Sequence, residues 1–176
     1  KDKLHGKVKF IFQPAEEGAP EGEVGGAEVM VKEGVLTKPN VDVIFGLHIS
    51  SGKEVGTVHY RAGGIMAAVD PFKVVVEGKQ SHGAYPWNSV DPIVTSAQII
   101  MGLQTIVSRE VELIDSAAVV TVGMINGGTR SNIIPNKVEM VGTIRTLNPE
   151  IRQHIHNAVH NKAKSIAKSM NAQATI

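Results

Sequence analysis

Asn148-Pro149-Glu150-Ile151, continued by Ile155, Val159, Ala163, Ile166 and Met170, is the stretch that decides the fold of the larger part of this chain. Asparagine before proline is a helix start: the side-chain oxygen caps free backbone N–H groups, and the missing proline donor costs nothing at the first helical position. The apolar residues then recur at helical spacing, so one face of a long helix enters a core. Asp91-Pro92 repeats the start signal, and Ile93, Ala97, Ile100, Gln104 and Val107 predict the apolar face of that second helix, with only the glutamine off pattern. Around the two helices, the β-rich runs 72–77, 119–125 and 138–145 predict strands, and Ala174-Thr175-Ile176 begins another. Strand, helix, strand, strand, helix and a final strand is the ferredoxin-like order: a four-stranded antiparallel sheet with two helices. The last strand is expected to be truncated.

Upstream the pattern differs. Residues 7–12 form a short β-rich run stopped by Gln13-Pro14, since proline cannot donate to a ladder. Residues 26–33 carry Ala27, Met30 and Val31 at helical spacing with Gly34 as cap, and 41–48 is a nearly continuous apolar run of the kind buried on both faces of a parallel sheet. Strand, helix, strand predicts a right-handed crossover, which brings the ends of both strands to one sheet edge, where open α/β folds place ligands. Residues 18–26 are glycine-rich and predict a surface loop, and 56–61 predicts a further strand. Ala62-Gly63-Gly64 is a hinge candidate, giving an expected division into residues 1–63, part of an α/β domain, and 64–176, the ferredoxin-like domain.

Composition excludes several classes. Apolar residues at 42% and charged residues at 20% are ordinary for a folded protein. Eighteen basic against 17 acidic residues, a net charge of +1, leave no electrostatic footprint for nucleic acid or an anionic membrane, so a small-molecule substrate is expected. The chain has no cysteine, which fits a reducing compartment, no run long enough to span a bilayer, and a polar start at Lys1–Gly6 unlike a signal peptide; a cytoplasmic location is expected.

Glu16 and Glu17 follow the first predicted strand, and His48 ends the second. Of two adjacent carboxylates, one can ligate a metal while its neighbour moves protons, and neutral imidazole is a common metal ligand. Taken singly, a Glu-Glu pair reads as solvated surface and a strand-end histidine as a hydrogen-bonded core residue. His82, between Ser81 and Gly83, sits just past a strand, where loops carry function, or it merely shapes a turn. Arg130 and Asn132 offer donors in a glycine-rich turn, and Arg145 ends a strand where it could fork onto a carboxylate or a neighbouring acid. His5 and His59 read as terminal and surface residues, and His154, His156 and His160 as a solvated helix face.

Gln13-Pro14-Ala15-Glu16-Glu17-Gly18, Phe45-Gly46-Leu47-His48, Ser81-His82-Gly83-Ala84 with Pro86-Trp87 and Val90-Asp91-Pro92-Ile93, Asn132-Ile133-Ile134-Pro135, and Gly142-Thr143-Ile144-Arg145-Thr146 resemble, in order over nearly the whole chain, the amidohydrolase branch of the aminoacylase-like metallopeptidases. That branch includes N-acyl-amino-acid amidohydrolases, hippurate hydrolases and indoleacetyl-amino-acid hydrolases. The resemblance implies hydrolysis of the amide bond of an N-acyl amino acid with two divalent metal ions per full-length subunit: zinc, manganese, cobalt or nickel. Glu16 would be the general base that activates the attacking water, Glu17 a metal ligand, and His48 a ligand of the partner metal. The ferredoxin-like domain would be a lid that also forms a homodimer. His82 would reach the other subunit's site to help hold the oxyanion, and Asn132 and Arg145 would contact substrate, Arg145 through the substrate's carboxylate. Ser89 stands where the family often has glycine.

The same resemblance implies further ligands outside this chain, in an upstream segment ending Gly-His-Asp and at a histidine near the family's C-terminus. The chain is therefore expected to be a central fragment, inactive alone and a weak metal binder. Two other readings stand beside the amidohydrolase: a dipeptidase or aminopeptidase of the same wider family, and a non-catalytic ferredoxin-like dimerisation or ligand-binding module, because a fold by itself does not imply activity.

Overall fold

The computed structural model describes residues 5–20, 22–114 and 116–176. Its internal contacts divide the chain into two compact units, Lys1–Thr57 and Val58–Ile176.

The second unit holds a four-stranded antiparallel sheet built from β1 (Ala68–Glu77), β3 (Ala118–Gly127), β5 (Lys137–Thr146) and β6 (Gln173–Thr175), in the spatial order β3-β5-β1-β6. Two helices, α2 (Pro92–Thr105) and α3 (Pro149–Ser169), complete the ferredoxin-like arrangement expected from the element order. A short antiparallel pair, β2 (Ser81–His82) with β4 (Ile133–Ile134), stands apart from the main sheet. β6 forms, pairing Gln173–Thr175 with Glu77–Val75 on β1.

Alternation puts one sheet face into the core. Val74 and Val76 on β1, Val120 on β3, and Val138, Met140 and Ile144 on β5 are buried against Ile99, Leu103 and Ile106 and against Ile155, Val159, Ala163 and Ala167 of α3. Each of the valines, leucine, isoleucines and methionine among them stabilises the fold by about 1.5–3 kcal/mol. Odd-numbered residues of β1 and β5, Arg145 among them, lie on the opposite face.

The helix starts form as their sequences dictate. The Asp91 carboxylate accepts from the Ile93 and Val94 N–H groups, at 2.8 and 3.2 Å, and the Asn148 side chain accepts from Glu150 and Ile151, at 2.7 and 3.1 Å. α3 stops where Asn171 takes a left-handed φ of 59°, which asparagine tolerates, and Ala172 N–H bonds back to Ala167 O at 2.9 Å.

α2 turns a different face inward than its apolar residues predict. Pro92, Thr95, Ser96, Ile99 and Leu103 are buried, whereas Ile93 and Ala97 are exposed. The helix is apolar nearly all round, so periodicity does not single out a face; close packing does. Gly102 lies where an added Cβ would sit 2.4 Å from Ile166 Cδ1 of α3. The buried Thr95 hydroxyl is satisfied within the helix by Asp91 O at 2.7 Å.

In the first unit, α1 (Ala27–Lys32) forms, and Gly34, with φ of 83°, follows it. The strands expected at 7–12 and 41–48, like the run 56–61, make no ladder among the described residues. Parallel strands need sheet neighbours and helices over both faces. A six-residue helix with no buried residue supplies no such cover, and Phe45 and Leu47 stand 89% and 91% exposed. Among the described residues no helix is long and apolar enough to cross a membrane.

Candidate metal centre and lid residues

The first unit joins its two expected strand segments without a ladder. Lys9, in the first, donates its ammonium to the carbonyls of Val35 and Lys38, the latter at 2.8 Å, and Val41 N–H bonds Leu36 O at 3.0 Å. The turn that leads into 41–48 is thereby tied to 7–12, and the residues beyond each segment emerge together.

Those residues are Glu16, Glu17 and His48. One ligand atom from each lies within 4.8 Å of the others, and His48 Nδ1 is 2.8 Å from Glu16 Oε1. All three side chains are exposed. The loop that carries the carboxylates is held in an unusual backbone: Ala15 has a φ of 51°, in the left-handed region that non-glycine residues rarely occupy, and Gly18 N–H closes the turn on Ala15 O at 3.2 Å. Gly26, just before α1, admits this turn at close range, since a Cβ there would meet Gln13 Nε2 at 3.1 Å and the Pro14 and Ala15 carbonyls at 3.4 Å. Gln13, Pro14 and Ala15 thus lie close against Gly26, just ahead of the two glutamates.

Two carboxylates and an imidazole suit a divalent cation such as zinc, manganese, cobalt or nickel. Their count falls short of two complete catalytic sites, each of which takes about three protein ligands. The donor set fits part of such a centre.

In the second unit His82 lies on β2, opposite Ile133 of β4. Gly83 N–H bonds Asn132 O at 2.7 Å, and a Cβ on Gly83 would come within 3.2 Å of that oxygen, so glycine next to His82 lets the Asn132 backbone approach closely. His82 and Asn132 are therefore brought together at one end of the β2–β4 pair. Arg145 sits on β5, in register with Val69 on one side and Val119 on the other, exposed on the sheet face away from the helices.

Sequence reasoning overlooked two features. His82 has aromatic company: its ring lies 5.7 Å from that of Tyr85, which meets Trp87 edge-on at 5.6 Å. The second is an ionic cluster under α3. Arg152 forks onto nearly buried Asp70 of β1, Nε to Oδ2 at 2.7 Å and Nη2 to Oδ1, with His156 Nε2 at 3.2 Å from Oδ2. The Arg152 hydrogen bonds hold the Asp70 carboxyl down at about 2, below its ordinary 3.8, against the opposing effect of burial. His156 thus leaves the solvated face expected for it. Its partner is 86 positions away in sequence, beyond any helix-periodicity signal.

The model of the peptidase dimerisation domain matches residues 70–171. An N-acetyl-L-cysteine deacetylase of Bacillus subtilis (strain 168) is 41% identical over 175 residues, 99% of this chain and 40% of that protein. Thermostable carboxypeptidase 2 of Saccharolobus solfataricus is 40% identical over 166 residues, 94% of this chain and 41% of that one. Among solved structures, a dinuclear metal-binding peptidase of the M20 family from Bacillus subtilis superposes with a TM-score of 0.68 at 37% identity, covering 93% of this chain and 38% of the other. The chain spans about two fifths of the length of these curated relatives. On the matched domain and these identities, the chain belongs to the M20 peptidase dimerisation-domain family.

Proposed function

We propose that this chain is part of a metal-dependent amidohydrolase that cleaves the amide bond of N-acyl amino acids, residues 1–63 contributing to the metal-binding catalytic domain and 64–176 forming the lid through which the protein dimerises. The observation that carries the reading is the convergence of Glu16, Glu17 and His48, with ligand atoms within 4.8 Å. The relatives' activities on acylated amino acids and peptides support it.

Glu17 and His48 would hold the metal, with the remaining ligands supplied from outside this chain. The bound ions, two divalent cations drawn from zinc, manganese, cobalt or nickel, supply Lewis acidity and lower the pKa of water. Glu16 takes the proton as water adds to the amide carbonyl. It returns that proton to the departing nitrogen, so the C–N bond breaks to a carboxylate and a free amine. His82 donates to the oxygen that gains charge, acting in the site of the other subunit of a homodimer. Arg145 pairs with the substrate carboxylate and Asn132 hydrogen-bonds the substrate. We place the protein in the cytoplasm, consistent with a chain without cysteine. The 176-residue chain alone would be inactive and a weak metal binder.

In the full-length, metal-supplied protein, Glu16→Gln keeps the shape of the side chain and removes its basicity. It is expected to lower kcat by about 10²–10⁴-fold with metal content unchanged. Wild-type turnover in E16Q would remove Glu16 from the mechanism. The carboxypeptidase relative keeps a peptidase reading, the dipeptidase or aminopeptidase of the same wider family, as the second one. Assays of N-acyl against free-amine substrates separate the two.

A further inference from the structure

His82 accepts a hydrogen bond at Nδ1 from its own turn: Ala84 N–H lies 3.1 Å away. A neutral imidazole has one donor and one acceptor nitrogen, so a ring that accepts at Nδ1 carries its proton on Nε2. The backbone around it is tied down throughout. β2 pairs with β4, Gly83 N–H bonds Asn132 O at 2.7 Å, and Tyr85 N–H bonds His82 O at 2.8 Å. The Tyr85 carbonyl in turn accepts from Ser81 Oγ at 3.1 Å and from Asn88 N–H at 3.1 Å. The Tyr85 backbone is therefore held in place, and its ring lies 5.7 Å from the imidazole at 50°. Trp87 backs it edge-on at 5.6 Å. Both aromatics are well exposed, at 53% and 74%, so neither is committed to the core.

We propose that Ala84 and Tyr85 are positioning residues for His82: the Ala84 N–H selects the Nε2–H tautomer, and the Tyr85 ring holds the imidazole so that Nε2–H faces away from the turn as a preset donor. The inference rests on the oxyanion role assigned to His82 above and deepens it. A donor aimed at a developing oxyanion must carry its proton before charge appears; the other tautomer would present a lone pair to it. The short-range motif Ser81-His82-Gly83-Ala84-Tyr85 is then a self-contained device, in which the second residue after the histidine sets its tautomer and the third limits its rotation.

Long-range proton–nitrogen NMR correlation of the His82 ring in the ¹⁵N-labelled protein reads the tautomer directly, and kinetics of the full-length, metal-supplied protein read its consequence. The wild type is expected to show the Nε2–H pattern. Ala84→Pro, which removes the donating N–H, is expected to give a mixture of tautomers and to lower kcat by about 10-fold or more, with KM within about twofold. Tyr85→Ala, which keeps that N–H but frees the ring, is expected to move both readouts in the same direction, and Tyr85→Phe to restore them. Tyr85→Ala carries the test if the proline variant fails to fold. An Nδ1–H pattern in the wild type overturns the proposal, as does a wild-type tautomer and kcat in Tyr85→Ala. Full kcat in His82→Ala would instead remove the oxyanion role of His82 while leaving the tautomer result standing, so the two failures are distinguishable.

Discussion

Asp70 illustrates how much one side chain can tie together. It sits on β1 facing the helix layer, 8% exposed, and Arg152 and His156 reach it from the first two turns of α3. Asp70→Asn keeps the volume but removes the charge that Arg152 requires, and should destabilise the second unit by about 2 kcal/mol, read as a lower midpoint in urea unfolding at neutral pH. The pH dependence has a defined sign. The folded carboxyl is depressed to about 2 from 3.8, so its contribution is fully present above about 3.8 and disappears as pH falls towards 2. Asp70→Asn should therefore flatten the acid limb of the stability profile in that window; an unchanged limb would show that other carboxylates set it. At this scale Glu16, Glu17 and His48 were picked out by donor chemistry and do lie together, although the parallel ladder expected to bring them to one edge does not form among the described residues. His156 was not, because the charge that recruits it comes from β1.

Among the elements, α3 was readable and α2 was not, for one physical reason. His154, His160, Lys164 and Lys168 on α3 mark its outer side, so its apolar stripe singles out Ile155, Val159 and Ala163, which are buried. On α2 the residues between Pro92 and Thr105 include no charged side chain, and the buried face is chosen by which small residues allow α3 to approach. Gly102→Val tests this. A branched side chain pointing at Ile166 must push the helices apart, and a loss of about 1–3 kcal/mol is expected in thermal or urea unfolding, while Gln104→Val on the exposed side should change stability by less than about 0.5 kcal/mol. Equal effects at the two positions would refute this packing. The strands expected in the first unit belong here too. Their apolar composition is correct for a buried parallel sheet, but a ladder exists only between partners, and the described residues supply none.

For the molecule as a whole, the buried hydrophobic ones among the described residues run from Val74 to Ala172, all within the second unit. Residues 58–176 are therefore expected to fold without 1–57, giving a cooperative melt and a dispersed amide spectrum; a molten spectrum would show that the first unit is needed for the core. The division between what was readable and what was not follows the range of the forces involved. The amino-acid sequence by itself determined the helix starts at Asp91-Pro92 and Asn148-Pro149 and the strand order of the second unit, because capping and periodicity act over a few residues. Only the tertiary structure decided which face of α2 is buried, that Asp70 draws in Arg152 and His156, and that the Asn132 backbone packs closely on Gly83. Those outcomes depend on close packing and on charges brought together from distant parts of the chain, and no local pattern encodes either.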